Sequence, residues 1–433
     1  MSEAETGQVS GPSAAADADT SAPRALGTVL NLVRGRLQDF RRDAGNSDIG
    51  APRRRRWGAL GSSVTFLVFL GVFAWYSLWL GEKFLNTNPR LLDVHQNVPL
   101  LLISLGLTVC LISGQFDLSV GGMGTLTTYL AVGLTIRQGW SFWLVIATCL
   151  LAGIIGGSAN AFLVVKLRVN PFIATLGTGG ILVGLSRVYS GGAQLAPTGD
   201  GPTLPKWFSG SGSFGSYQTK ALPIITWVVI AFLFIVIAFV LSERVPTHKR
   251  RIWYVVIAVN VVVLFTVTVI FVQTLTRDMS YVVLFLLAVT FGLWVVMRYT
   301  TFGRYLYATG GNAEAAELAG VNVKRMKSAA FIISSTLAAV AGVVLASIQG
   351  SASPGIAVGF LLPAFAAAFL GTVILSTGRF HIWGTLVGGV FVIWVGQGLI
   401  VGGVSFTWTD VINGLVLVVA VSLSTALRRG GKK

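Results

Sequence analysis

The sequence predicts an all-α, polytopic transmembrane helical bundle, and two observations support that prediction. Of its 433 residues, 54% are hydrophobic and only 11% are charged, whereas soluble globular domains carry about 25% charged residues. The apolar residues also form about twelve runs, most of them long enough to span a hydrocarbon core of about 30 Å. These runs favour helices, because they lack the polar and apolar alternation that is typical of transmembrane strands.

The apolar segments follow one another over a predicted transmembrane domain that covers residues 57–427. A basic tail over 1–56 precedes this domain, and a short basic tail over 428–433 follows it. The predicted segments are 57–80, 96–112, 117–136, 141–165, 171–189, 222–242, 252–272, 279–298, 328–349, 355–376, 381–401 and 407–427.

The first tail is expected to be mostly disordered. It ends in four arginines, Arg53 to Arg56, and the apolar core of a signal peptide does not precede them. Within the tail, the stretch "RALGTVLNLVRGRLQDFRR" (24–42) fits two alternatives about equally well. One is an amphipathic helix on the membrane surface, and the other is a solvated segment.

The distribution of basic residues predicts that both termini are cytoplasmic. If every segment crosses the membrane, 25 of the 32 Lys and Arg residues fall on the side of the two tails, and cytoplasmic loops carry such an excess. The same count predicts an outer loop at about 190–221 and a cytoplasmic loop at about 299–327. Membrane orientation therefore explains the net charge of +16 better than nucleic-acid binding does.

The sequence lacks the motifs of an enzyme with its own ATP or metal site. The P-loop pattern G-x-x-x-x-G-K-[ST] does not occur, and the three histidines are far apart in the chain. Cys110 and Cys149 lie in apolar segments, where small buried hydrophobes are the simpler interpretation. Asp117 and Asp410 are the main acidic residues inside apolar segments, and this scarcity disfavours an ion-coupled carrier. We expect no cofactor and no metal.

One polar stretch, "SGQFDLSVGG" (113–122), interrupts the apolar run after the second segment. Asp117 is a predicted N-cap of the helix that follows, assisted by Ser119, because a carboxylate can accept the first free backbone N–H groups. The alternative places this polar break along a solute path, because irregular backbone at membrane depth is either buried or lines a cavity.

A second polar stretch, "RVNPFIATLGTGG" (168–180), opens another segment. Asn170 is a predicted cap and Pro171 a predicted first helical residue. Thr175 and Thr178 fall three residues apart on one helix face. Their hydroxyls fit two roles, contact with a neutral polyol or, slightly favoured, bonds to their own helix backbone.

A third polar stretch, "ATGGNAEAAELAGVNVKR" (308–325), lies between two apolar segments. Two glycines, Gly310 and Gly311, predict a flexible entry to a short helix. Asn312 is its predicted N-cap and Gly320 its residue after the C-terminus. Its acidic residues, Glu314 and Glu317, fall in the first turns and suit the helix dipole.

This predicted helix has about two turns and cannot be stable alone in water. Ala315, Leu318 and Ala319 share one face of it. That face must therefore pack on the rest of the protein or on a partner. Small residues with flanking charge favour docking into a groove.

Four stretches together resemble the permease subunits of bacterial ABC sugar importers, the ribose/xylose-type family. The resemblance runs from about Leu91 to the end of the last segment. The stretches are "GQFDLSVGG", "NPFIATLG", "TTFGRYLYATGGNAEAAELAGVNVKRMK" and "WGTLVGGV". The family pattern has one segment between the outer loop and "TTFGRYLY", whereas this chain has three. The twelve segments would therefore be a family core of about ten plus two extra, which leans towards the xylose-type branch.

The resemblance implies the partners and the location of the protein. It implies a cytoplasmic ATPase on a separate chain, which binds the ATP, an extracytoplasmic sugar-binding protein and a second permease copy in a bacterial inner membrane. The family's ATPase-coupling element corresponds to Gly310, Gly311, Asn312, Glu314, Ala315, Ala316, Leu318 and Gly320. A twelve-helix, ion-coupled sugar carrier and a membrane scaffold or enzyme remain the alternatives.

Overall fold

The computed structural model describes residues 71–198, 202–212, 280–374 and 379–430. In these ranges the chain is mostly helical and contains no strand, apart from one isolated bridge between Leu195 and Ala352. The N-terminal tail and the predicted segments 222–242 and 252–272 lie outside the described residues. The same is true of residues 199–201 and 213–221 of the predicted outer loop and of residues 57–70 of the first segment.

The described helices are labelled here in chain order. The first group is α1 (Gly71–Leu80), α2 (Glu82–Leu85), α3 (Thr87–Gln96), α4 (Val98–Ile112), α5 (Val120–Ile136), α6 (Phe142–Ala161, continued by a π-helical turn Phe162–Lys166), α7 (Pro171–Ser190) and α8 (Lys206–Gly212). The second group is α9 (Tyr281–Tyr299), α10 (Thr301–Gly311), α11 (Ala313–Leu318), α12 (Val323–Gln349), α13 (Leu361–Ile374), α14 (Ile382–Val401) and α15 (Thr409–Gly430).

Five described helices are long and apolar enough to cross a membrane, namely α6 with its π-helical turn, α7, α9, α12 and α14. The end of α3 and α4 together form a sixth candidate, bent by 53°. Several shorter apolar helices accompany them, among them α5 and part of α15. By helix length and composition, the chain is a multi-pass membrane protein.

Two predicted segment starts differ from the structure. Helix α12 begins at Val323 instead of 328, because the Asn322 side chain accepts the Arg325 N–H at 3.0 Å and caps the helix early. Helix α13 begins at Leu361 instead of 355, because Gly355 has a φ of +73° and a short 3₁₀ turn precedes the helix. Both differences arise from local capping and turn geometry, which apolar run length does not report.

The core of the bundle is built around α4 and α12. Every residue of α4 is buried, and this helix packs against α12, α13 and α14. Helix α12 also packs closely against α5 and α6. On α6, a Cβ at Gly157 would lie 2.6 Å from the Cα of Ile332 on α12, and Gly153 meets the same helix. These two glycines, four residues apart on one face of α6, therefore let α6 and α12 pack closely within one chain.

Candidate functional site

The first polar stretch breaks the chain between α4 and α5. Helix α4 ends at Ile112 and α5 begins at Val120. Asp117 is fully buried, and its Oδ1 accepts the Ser119 backbone N–H at 3.1 Å and the Ser119 hydroxyl at 2.6 Å. The prediction of Asp117 as N-cap is wrong, because Ser119 occupies that position. The carboxylate instead fixes the turn that leads into the helix.

A buried asparagine of α6 joins this break to α7. The Asn160 Nδ2 donates to the Ser119 hydroxyl at 2.7 Å, and its Oδ1 accepts from the Thr178 hydroxyl at 2.6 Å. Asn160 was not among the predicted site residues. The only sequence feature that points to it is a single amide side chain within an apolar run. Its hydrogen-bond partners lie far away in the chain, so the sequence does not show what it contacts. The cluster of Asp117, Ser119, Asn160, Thr175 and Thr178 is named the polar cluster below.

The start of α7 behaves as its sequence predicts. The Asn170 Oδ1 accepts the Phe172 N–H at 2.9 Å, and Pro171 is the first helical residue. The Thr175 hydroxyl donates to the Pro171 carbonyl at 2.7 Å and accepts the Leu118 N–H at 3.0 Å. Thr175 therefore makes the favoured bond to its own helix backbone, and it also fixes the backbone of Leu118 in the segment between α4 and α5.

The structure brings four of the six predicted path residues into one cluster, and it leaves Asn170 and Pro171 at the helix end beside it. Asp117, Ser119, Asn160 and Thr175 are all fully buried in the described chain. Ser334 of α12 is a further polar neighbour of the Asp117 carboxylate. A role of these residues in solute passage stays a prediction.

A helix that the sequence interpretation did not separate, α10, precedes the short helix of the third polar stretch. The Thr300 hydroxyl caps α10 by accepting the Gly303 N–H at 3.3 Å. A Cβ on Gly303 would overlap the Met297 backbone, so a glycine permits the tight corner between α9 and α10. Helix α10 extends to Gly311, and the prediction of a flexible entry at Gly310 and Gly311 is therefore wrong.

A hydrogen bond from a partly buried tyrosine hydroxyl joins helix α10 to the segment before α14. The Tyr307 hydroxyl donates to the Phe380 carbonyl at 2.9 Å. Burial raises the pKa of Tyr307 above its usual value, and the positive charges of Arg379 and Arg298 offset this rise only in part. The phenol therefore stays protonated at neutral pH and keeps donating this bond.

The caps predicted for the short helix are confirmed in α11. The Asn312 Oδ1 accepts the Ala315 N–H at 3.0 Å. At the other end Gly320 has a φ of +83°, and its N–H donates to the Glu317 carbonyl at 2.9 Å. The Val321 N–H donates to the Ala316 carbonyl at 2.9 Å, which completes a Schellman motif.

Only one side of α11 packs on the rest of the chain. Ala316 is buried in a small apolar cluster with Val321 and Val323. The face formed by Ala315, Leu318 and Ala319, named the α11 outer face below, is exposed, and the Leu318 side chain is 87% exposed. The two acidic residues of α11, Glu314 and Glu317, are also exposed.

The family described as "Branched-chain amino acid transport system / permease component" matches residues 94–421, which include all three polar stretches. The chain belongs to this permease family. Within it, the relatives confirm the resemblance to ribose/xylose-type ABC permeases.

Three curated relatives cover most of the chain. The ribose import permease protein RbsC of Bacillus subtilis (strain 168) is 30% identical over 322 residues, which are 74% of this chain and 80% of the relative. The xylose transport system permease protein XylH of Escherichia coli (strain K12) is 29% identical over 340 residues, 76% and 82% of the two chains. The RbsC of the same strain is 26% identical over 366 residues, 83% and 91%.

These identities do not separate the ribose-named from the xylose-named relatives, so the lean towards the xylose-type branch stays a prediction. No solved structure matches the chain. Membership of the family describes the chain as a membrane subunit of a transporter and not as a catalytic enzyme.

Proposed function

We propose that the chain is the permease subunit of an ATP-binding cassette importer for a monosaccharide such as xylose or ribose. Its family and the names of its relatives support this assignment. The sequence has no P-loop, so the ATP is bound by a separate cytoplasmic ATPase and the permease needs no cofactor of its own. The ion-coupled carrier is not favoured, because the family match gives it no support.

The proposed assembly places two permease copies in a bacterial inner membrane. Each copy has about twelve membrane segments and both termini in the cytoplasm, in line with the distribution of its basic residues. An extracytoplasmic binding protein delivers the sugar to the side that carries the outer loop. The two copies form the translocation path between them.

The observation that best supports this function is the exposed α11 outer face. An isolated helix of six residues is marginal in water, yet α11 is capped at both ends and presents a leucine to its surroundings. A groove on the ATPase that takes up Leu318 would explain both features. Basic residues at the rim of that groove would complement Glu314 and Glu317.

The proposed coupling residues have three different roles. Leu318 and Ala315 contact the ATPase, and Glu314 supplies negative charge at this contact. Asn312 and Gly320 cap the helix, and Ala316 anchors it to the bundle. Gly310 and Gly311 end the preceding helix.

The proposed translocation path follows the α4–α5 break and the start of α7. Non-helical backbone at membrane depth is tolerated where protein buries it or where it lines a cavity. The polar cluster holds this backbone on one side, and the Phe116 side chain is exposed on the other. The proposed path residues are Asp117, Ser119, Asn170, Pro171, Thr175 and Thr178.

A matched pair of leucine truncations tests the ATPase contact. Burying a leucine is worth about 1.5–3 kcal/mol, so Leu318→Ala should weaken the affinity of the purified permease for the ATPase by about tenfold or more. Leu167→Ala is the control, because Leu167 is also exposed and lies on the same predicted side of the membrane. Equal affinities for the two variants would count against α11 as the contact.

The sugar itself is best identified on the binding protein. A thermal-shift screen of the binding protein encoded beside the permease gene should show stabilisation by one monosaccharide, because a ligand that binds only the folded state raises its stability. Stabilisation by a branched-chain amino acid, with no response to pentoses, would contradict the sugar assignment.

A further inference from the structure

The C-terminal end of α10 lies directly against the end of α4. A Cβ on Gly310 would overlap the carbonyl oxygen of Ile112 and would lie 3.2 Å from the backbone nitrogen of Gly114. The neighbouring glycine differs, because a Cβ on Gly311 would have no atom within 4 Å. A close approach of the α4 backbone therefore requires a glycine at position 310 but not at position 311.

The residues that Gly310 contacts begin the α4–α5 break. Gly114 has a φ of +78°, a conformation that favours glycine, and the chain leaves the helix there. Further along the break, the Phe116 ring packs against Phe365 of α13 at 6.2 Å between centroids. Asp117 then enters the polar cluster that holds the break to α6 and α7. Contacts therefore run without interruption from α10 to three helices of the bundle, α13, α6 and α7.

The same C-terminal end of α10 is followed by α11 after a single residue, Asn312. A displacement of α11 by a partner therefore acts on Gly310 before it acts on any other contact of α10 with α4. Close-packed backbone contacts transmit displacement well, because they have no flexible side chain to absorb it.

We propose that Gly310 is a positioning residue that transmits movement of α11 to the α4–α5 break, and that it does not touch the ATPase. This inference rests on the proposed function and refines the role given to Gly310 there. It separates two groups of residues: those of the α11 outer face bind the ATPase, and Gly310 passes the resulting movement to the translocation path.

Two alanine variants test the proposal, Gly310→Ala and the control Gly292→Ala on α9, where an added Cβ would have no atom within 4 Å. The full permease is assembled with its ATPase and binding protein, and the affinity for the ATPase and ATP-driven uptake are both measured. Gly310→Ala should bind the ATPase as the wild type does but lose uptake by about tenfold or more, because overpacking displaces the backbone that it meets. Gly292→Ala should keep both properties. Wild-type uptake by Gly310→Ala would overturn the proposal.

A second measurement covers the case in which Gly310→Ala does not fold. In otherwise wild-type protein, Phe116→Cys introduces a thiol at an exposed position of the break, whereas Cys110 and Cys149 are fully buried. Its rate of labelling by a small thiol reagent is compared between the nucleotide-free complex and the complex trapped with ATP and vanadate. A rate that changes with the nucleotide supports transmission to the break, and an unchanged rate in a complex that hydrolyses ATP contradicts it.

These outcomes are distinct from failure of the proposed function. If the wild-type permease neither binds an ATPase nor needs ATP for uptake, the ABC assignment itself is wrong. If the wild-type permease does both and Gly310→Ala matches Gly292→Ala in uptake, only the role of Gly310 is wrong.

Discussion

The C-terminal cap of α11 allows a sharp test, because the cost of changing it comes from the backbone alone. Gly320 has a φ of +83°, and a Cβ there would have no atom within 4 Å. A side chain at this position therefore meets no steric neighbour, but an L-residue in the left-handed region costs about 1–2 kcal/mol. Gly320→Val should cost at least this much, since β-branched residues tolerate this region poorly.

That cost is large compared with the stability of a six-residue helix that one buried alanine anchors. Gly320→Val should therefore open the Schellman motif and weaken ATPase binding by about tenfold. The thermal midpoint of the membrane bundle should change little, because α11 lies outside its core. Hydrogen exchange of residues 313–321 should rise in the same variant.

Asparagine is the matched control at this position, because it adopts the left-handed conformation more readily than other residues do. Gly320→Asn should keep most of the ATPase affinity, measured on the same purified complexes. If the valine and asparagine variants bind the ATPase equally well, the conformation at Gly320 does not control the contact.

Two further predictions concern the bundle, and both use thermal unfolding of the purified protein in detergent. Thr178→Val should destabilise the fold by about 1–2 kcal/mol, because it leaves the Asn160 Oδ1 without its donor. The control Thr148→Val, which removes only a bond to the same helix, should cost less than about 0.5 kcal/mol. Gly157→Ala should cost about 1–3 kcal/mol, because its Cβ would lie 2.6 Å from α12. Gly184→Ala, which meets no atom within 4 Å, should be neutral, and equal midpoints within either pair would contradict the packing described here.

The parts of the site that could be predicted from sequence are those set by neighbouring residues. The caps of α11 are an example, since Asn312 and Gly320 act on backbone groups a few residues away. Asn170 and Pro171 at the start of α7 are another. Such local chemistry is visible in a single sequence, because helix ends accept few residue types.

The parts that sequence interpretation missed depend on contacts between distant residues. Asp117 is a residue type that is common at N-caps, but its side chain bonds Ser119 in the polar cluster and Ser119 occupies the N-cap position. The role of Asn160 cannot be predicted from its neighbours in sequence, because its partners Ser119 and Thr178 lie on other segments. Gly310 resembles a flexible glycine until the approach of the Ile112 carbonyl is known. The exposure of Leu318 likewise follows from which side of α11 the bundle covers.

Uptake of radiolabelled sugar into proteoliposomes tests the proposed function most directly. The permease is reconstituted with its ATPase and binding protein, and ATP is supplied on the ATPase side with or without an uncoupler. We expect uptake to require ATP, the ATPase and the binding protein, and to persist when the uncoupler removes the ion gradients. Uptake that continues without the ATPase and stops when the uncoupler is added would contradict the assignment and favour an ion-coupled carrier.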